Sequence, residues 1–418
     1  MVQQLPCTVS LLTSSTDKYL SDIPKLYKGW TEDERPDALE LYVFRECDLD
    51  DLPVFWDVKE PRSSVAEMVA ALKPSDISEL AEHIKERIPT MPIAALATYF
   101  PEITSVDLRR KNHAVKALAN SVLLADQLGV SVVEMVAGRH DEECTHHYKY
   151  RHDKGSLVVR DCDIVFSCED HTRPESDSDN VSSMKLRWLM DGLREVHHRV
   201  KRMKLRTNVQ LFLEMEPGRL FVLSRPRHIR RVLVETVRCT LPTKDKWGRK
   251  TGKRYPLLSF NCDIGHCLLT TYAGENYPGN MWAELFKDKR GRIGTPATRL
   301  KNFHISDHPY NRMHIDRPPT SNPDYATFHS IRPNFSDPIH FAPWLNCVLC
   351  VAERGRQTNV SLELEAEIRT EPLWEGITSV KQALREIANE RAANPRWADR
   401  SCGGSSPLRP GCPDFIPR

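Results

Sequence analysis

Five side chains in the second half of the chain have the types and spacing of a metal centre: Glu214, Asp263 with His266 three residues later, His304 and Glu363. Each lies near the end of a short, mainly apolar run, namely VQLFLEME (209–216), LLSFNCDIGH (257–266), LKNFHISD (300–307) and VSLELEAE (360–367). A charged group inside an apolar segment is costly to bury alone, and a shared cation offsets that cost for all of them at once. Three carboxylates and an imidazole, with no thiolate, suit one divalent ion such as Mn²⁺, Mg²⁺, Co²⁺ or Zn²⁺, and the carboxylate majority favours the harder ions. A single acidic residue in a strand is more often a rim or ion-paired group; four candidate ligands on successive runs at like depth are harder to read that way. Glu216 lies two residues after Glu214 and Glu365 two after Glu363, so each shares its partner's strand face. The LE pattern common to both segments favours the earlier member.

Such groups need a scaffold that brings strand ends together. The first half supplies four more runs of the same kind: CTVSLLT (7–13), DALELYVF (37–44), PIAALATYF (92–100) and SVVEMVAG (131–138). All eight are too short for stable helices, and several are apolar on both faces, as strands covered on both sides must be. Helical patterns fill the gaps. The clearest are 111–129, stopped by Gly129, and 182–204, with Ser182 or Ser183 able to cap its start; others cover 75–88, 225–238 and 379–393. Strand alternating with helix eight times predicts parallel pairing through right-handed crossovers and closure as a (β/α)8 TIM barrel. A doubly wound open sheet would place a glycine-rich turn after its first strand, and TVSLLTSSTDKYL has none. Catalytic groups of such a barrel sit at the C-terminal ends of the strands, where these five residues fall.

Composition agrees with one large globular unit over 1–393. The 418 residues are 40% hydrophobic and 28% charged, with a formal net charge of only +2, so no global field draws the chain to nucleic acid or an anionic membrane. The N-terminus lacks a cationic start followed by an apolar stretch, and no window approaches the roughly 18 apolar residues of a membrane span, so the expected location is cytoplasmic. The 12 cysteines are scattered and read as reduced packing residues, including the lone CxxC at Cys347 and Cys350. Residues 139–180 exceed the needs of a βα loop and read as a lid or hairpin beside the rim; 394–418 read as a disordered tail. The group Cys144, His146, His147 and His152 matches no closed zinc pattern. Basic stretches at 197–206 and 244–254 read as the polar side of a helix and an exposed loop, which makes a nucleic-acid role the weaker reading.

The segments LFLEMEPG, FNCDIGHCL, KNFHISDH and VSLELEAE resemble the last four strands of the xylose-isomerase-like barrel superfamily, which includes sugar isomerases, ketose 3-epimerases, inosose dehydratases and endonuclease IV. The resemblance spans 7–392; in the first half it is carried by DALEL and LADQLGVSVVEMVAG. It implies Glu214, Asp263, His304 and Glu363 as metal ligands, Glu214 and Glu363 as base and acid, and His266, with Glu216 and His308, beside the substrate. It implies a small polyhydroxylated carbonyl substrate, proton transfer at the carbon next to the carbonyl, and a chain able to form homo-oligomers.

Departures from the pattern bear on the branch. The endonuclease branch uses three zinc ions and histidines on the third and fourth strands, whereas here these end in ATYFP and MVAGRH, with His140 two residues past Gly138; His308, His329 and His340 follow the seventh strand and could add ligands. The arginine expected soon after the seventh-strand histidine is displaced, with Tyr310 and Asn311 in its region and Arg312 next. Metal-dependent hydrolysis or dehydration, an endonuclease-like phosphodiesterase and a non-catalytic binding protein on the same barrel are the alternative expectations.

Overall fold

In the computed structural model, the described residues are 5–16, 18–43, 65–138, 151–153, 156–158, 175–215, 222–223, 226–245, 247–266, 301–306, 338–353, 357–364 and 372–393. Eight strands close a parallel barrel in sequence order: β1 (Thr8–Leu12), β2 (Ala38–Tyr42), β3 (Ile93–Thr98), β4 (Val132–Val136), β5 (Gln210–Glu214), β6 (Leu258–Asp263), β7 (Asn302–Ile305) and β8 (Asn359–Leu362). β8 returns to β1 with Thr8 beside Asn359 and Leu11 beside Leu362, which closes the ring. Seven of these eight strands lie within a run read from the sequence, and β8 begins one residue before its run.

The helices are α1 (Ile23–Leu26), α2 (Val65–Ala71), α3 (Pro74–Arg87), α4 (Leu108–Leu128), α5 (Glu175–Arg202), α6 (Pro226–Glu235), α7 (Pro338–Glu353) and α8 (Leu373–Ala393). α4 shows how local chemistry sets such boundaries. Asp107 caps it by accepting from the Arg109 amide at 2.8 Å, and Gly129 ends it in the left-handed region at φ +77°. At the far end of the chain, Lys381 of α8 is buried and reaches Asp37 at 2.7 Å and the Arg35 carbonyl, tying the last helix to the strand that opens β2.

Along each strand, side chains alternate between the helical shell and the barrel interior. Leu211 and Leu213 of β5, Phe260 and Cys262 of β6, Phe303 and Ile305 of β7, and Val360 and Leu362 of β8 join the outer apolar core. Alternation places the intervening residues inside, and they are mostly polar: Glu214, Ser259, Asn261, Asp263, Asn302, His304, Asn359 and Ser361, all buried. Both faces of β5–β8 are covered, and the inner one carries a polar set. Ala95, Val132 and Phe212 form a separate small apolar plug on the β3–β5 side.

Three local readings change. α5 begins at Glu175, seven residues before the expected caps Ser182 and Ser183 and inside the expected 139–180 insertion. The basic stretch 244–254 is no irregular loop: Thr240–Lys244 and Lys250–Pro256 pair antiparallel. Asp245 shapes the turn by accepting from the Trp247 and Arg249 amides, and Gly248 supplies φ +77°. Because this hairpin packs beside the end of α5, His197 is buried with Nε2 3.1 Å from the Thr240 carbonyl, not on the helix's polar side.

The expected hairpin within 139–180 corresponds to a short antiparallel pair, Arg151–Asp153 with Ser156–Val158; the rest of that stretch before α5 lies outside the described residues, as does 394–418. Cys7, Cys239, Cys262 and Cys347 are buried, and burial, with Asp37 nearby, pushes the Cys7 thiol up to about 12. These four behave as packing residues. No helix among the described residues is long and apolar enough to cross a membrane.

Candidate metal centre

Neighbouring parallel strands set the depth of each inward side chain. Asp263 on β6 pairs in register with His304 on β7, which pairs with Ser361 on β8, and Asn261 pairs with Glu214 on β5. Glu363 follows β8 by one residue; its amide donates to the Ile305 carbonyl at 3.1 Å, and the next amide, of Leu364, donates to Ser15 Oγ at 2.8 Å. The result is that Glu214, Asp263, His304 and Glu363 each offer a ligand atom within 4.8 Å of the others. This is the set read from the sequence.

Each donor is aimed. Asn261 Nδ2 donates to Glu214 Oε1 at 3.0 Å. Asp263 Oδ1 accepts from the His266 amide at 2.8 Å, while its Oδ2 faces His266 Nε2 at 3.3 Å. Gly265 makes that turn fit, since a Cβ there would stand 2.4 Å from Ser306 Oγ and 3.2 Å from Asp263 Oδ1. His304 Nδ1 lies 2.9 Å from Glu363 Oε2 and 3.1 Å from Glu214 Oε1. Side-chain exposure is 5% for Glu214, 1% for His304 and 0% for Asp263, against 20% for Glu363, so Glu363 is the member facing the mouth.

The electrostatics are those of a site built around positive charge. Burial opposes ionisation of His304, yet Glu40, Glu214 and Glu363 together hold its imidazole well above the usual histidine range. Asp263 is pushed up to about 7 by burial, against the pull of His266 and with repulsion from Glu363 and Glu214. Glu214 is also buried, but His304 and His266 outweigh that and lower it. Asp263 Oδ2 and both ring nitrogens of His304 are buried without a hydrogen bond of proper geometry. Buried lone pairs left in that state, on residues of this chemistry, fit a divalent cation.

These shifts fix the pH behaviour of the metal-free protein. A carboxylate raised from 3.8 to about 7 binds its proton more tightly when folded, so stability falls as pH rises from about 4 to 7. The raised imidazole contributes stability below about 6.5 that is lost as pH climbs through its folded value. Melts of chelator-treated protein should therefore show a lower Tm at pH 8 than at pH 6. Stabilisation by added Mn²⁺ should show the reverse trend, because binding must displace those protons. A metal increment independent of pH would contradict this.

No protein-family model and no curated protein matches the sequence. Solved structures do. A D-tagatose 3-epimerase-like protein aligns with a TM-score of 0.49 at 14% identity, over 93% of this chain and 99% of that one. An L-ribulose 3-epimerase aligns with a TM-score of 0.47 at 13% identity, over 93% and 97%. The IolI protein, solved with a zinc atom, aligns with a TM-score of 0.48 at 13% identity, over 92% and 98%.

Of the other residues expected beside the substrate, Glu216 and His308 lie outside the described residues, as do Glu365, His329 and Arg312. His266 is 2% exposed, with Nδ1 2.8 Å from the Met215 carbonyl and the ring against Asp263, so its contact within the described site is to Asp263. Sequence reading missed two buried carboxylates. Glu40 on β2 meets His304 Nε2 at 3.1 Å across the barrel, and Glu134 on β4 is fully buried, raised well above the usual range by burial and by Glu214. The available signal was that both sit at inward positions of strands, in DALEL and VVEMV, like the four named residues.

Proposed function

We propose that this chain is a divalent-metal-dependent isomerase or epimerase acting on a sugar or related polyhydroxylated carbonyl compound, through proton abstraction at the carbon next to the carbonyl. The observation that carries the reading is the convergence of two glutamates, Glu214 and Glu363, with Asp263 and His304 at the C-terminal mouth of the barrel, within 4.8 Å of one another. Glu214, Asp263, His304 and Glu363 would hold one ion of the Mn, Mg, Co or Zn kind. Such an ion would supply Lewis-acid polarisation of the carbonyl, which makes the neighbouring C–H acidic enough for a carboxylate to deprotonate.

The chain's own residues do the rest. Glu363, the partly open member, is placed to take or return the proton on the substrate side. Glu214, almost fully buried and steadied by Asn261, would serve as its counterpart in the proton transfer. His266 keeps Asp263 in one orientation through its amide and ring. We assign the barrel unit to 1–393, with the stretch from 139 to the start of α5 as an insertion and 394–418 as a tail.

The test is solvent exchange. Mn²⁺-loaded protein incubated with a panel of ketopentoses and ketohexoses in D2O should give substrate and product carrying deuterium at the carbon beside the carbonyl. Turnover without deuterium would contradict proton abstraction at that carbon, and cleavage of an abasic-site DNA duplex without action on any sugar would favour the phosphodiesterase alternative.

A further inference from the structure

We propose that Glu40 is a positioning residue that fixes which nitrogen of His304 faces the metal, by accepting the proton of the other. This rests on the metal reading above and extends it to a residue on the opposite wall of the barrel. His304 has one nitrogen on each side of a charged divide: Nδ1 faces Glu214 Oε1 and Glu363 Oε2, while Nε2 lies 3.1 Å from Glu40 Oε1. A neutral imidazole carries one N–H and one lone pair, and a ligand nitrogen must present the lone pair. Only the nitrogen on the Glu214 and Glu363 side is near the other candidate ligands, so the N–H belongs on Nε2, whose near carboxylate is Glu40 at 3.1 Å, an ion-pair approach that does not itself have hydrogen-bond geometry.

Glu40 is itself held for this task. Asn302 Nδ2 donates to its Oε1 at 3.2 Å and Asn359 Nδ2 to its Oε2 at 3.4 Å, while Asn359 Nδ2 also reaches Asn302 Oδ1 at 2.8 Å. These amides come from β7 and β8, the strands that also carry or lead to His304 and Glu363. Glu40 is 0% exposed, so it meets no solvent. The β2–β3 pairing slips between Leu39 and Glu40, with Leu39 beside Ile93 but Glu40 beside Ala95, an irregularity of the kind that re-aims a side chain near a functional site. A buried carboxylate aimed at the distal nitrogen of a ligating histidine fixes the tautomer and raises the basicity of the ligating nitrogen.

Two measurements on the full chain decide it. Glu40→Gln keeps the side-chain volume but replaces the anion with a weaker, neutral acceptor. Calorimetric titration with Zn²⁺ should show it binding about 10–100-fold more weakly than wild type, with unchanged far-UV circular dichroism. In Zn²⁺-loaded wild type, a long-range proton–nitrogen correlation spectrum should show His304 protonated at Nε2, the signal being identified by its absence from His304→Gln. Nε2-bound metal with a proton on Nδ1 would overturn the inference even if Glu40→Gln failed to fold. Zn²⁺ binding that is lost in His304→Gln yet unchanged in Glu40→Gln would overturn this inference alone. A wild type that takes up no Zn²⁺ would overturn the metal reading with it.

Discussion

Glu363→Gln should reduce deuterium exchange into any accepted sugar by about 10²–10⁴-fold while leaving the protein folded. The amide is nearly isosteric and can still offer an oxygen to a cation, but it has no basic lone pair of carboxylate strength with which to take a proton. Glu363 is the most open of the four clustered groups, so neutralising it also removes a charge that repels Asp263. The fold should not suffer. Full exchange by a well-folded Glu363→Gln protein would remove this residue from the proton-transfer role, and a rise in the substrate KM with kcat unchanged would reduce it to a binding contact.

Asp263→Asn should act in opposite directions on the two forms of the protein. In the metal-free form the native carboxylate is buried, crowded by two other carboxylates and pushed up to about 7. Ionising it at pH 8 costs the fold up to ~4 kcal/mol, a cost the neutral amide does not carry. Asn can still accept the His266 amide through its oxygen, so the turn at Gly265 survives. The metal-free variant should therefore melt above metal-free wild type at pH 8. The metal response should vanish: wild type gains about 2.7 kcal/mol when Mn²⁺ is present at ~100 times its dissociation constant, and the variant gains none. An Asp263 that served structure alone would give the contrary result, a less stable variant with no change in metal response.

Such opposed effects are what a functional site leaves in a sequence. The inward positions of β5–β8 break the apolar rule of a buried strand, and it was that breach, at Glu214, Asp263, His304 and Glu363, that made the candidate site legible. The barrel was legible because the outward positions obeyed the rule, giving Leu211, Phe260, Phe303 and Val360 a periodicity that eight runs repeat.

Glu40 and Glu134 were harder to see, since each stands among apolar neighbours on a strand whose end carries no other ligand type. Nothing local says that Glu40 reaches His304, which is 264 residues away in the chain; only closure of the ring brings β2 across from β7. The α5 start was misplaced for a related reason. Serines that could cap a helix also sit comfortably inside one, and the acidic run before them continues the helix instead. The 244–254 hairpin was hidden by its charge, because an exposed strand pair beyond the barrel needs no apolar alternation to announce it.

The central claim is that side chains from four successive strands hold one divalent ion. Calorimetric titration of the chelator-treated full-length protein with Mn²⁺, run beside His304→Gln, tests it most directly. Binding of about one ion per chain in wild type, lost in the variant, is the predicted result. No uptake by wild type, uptake of about three ions, or equal uptake by the two proteins would contradict it.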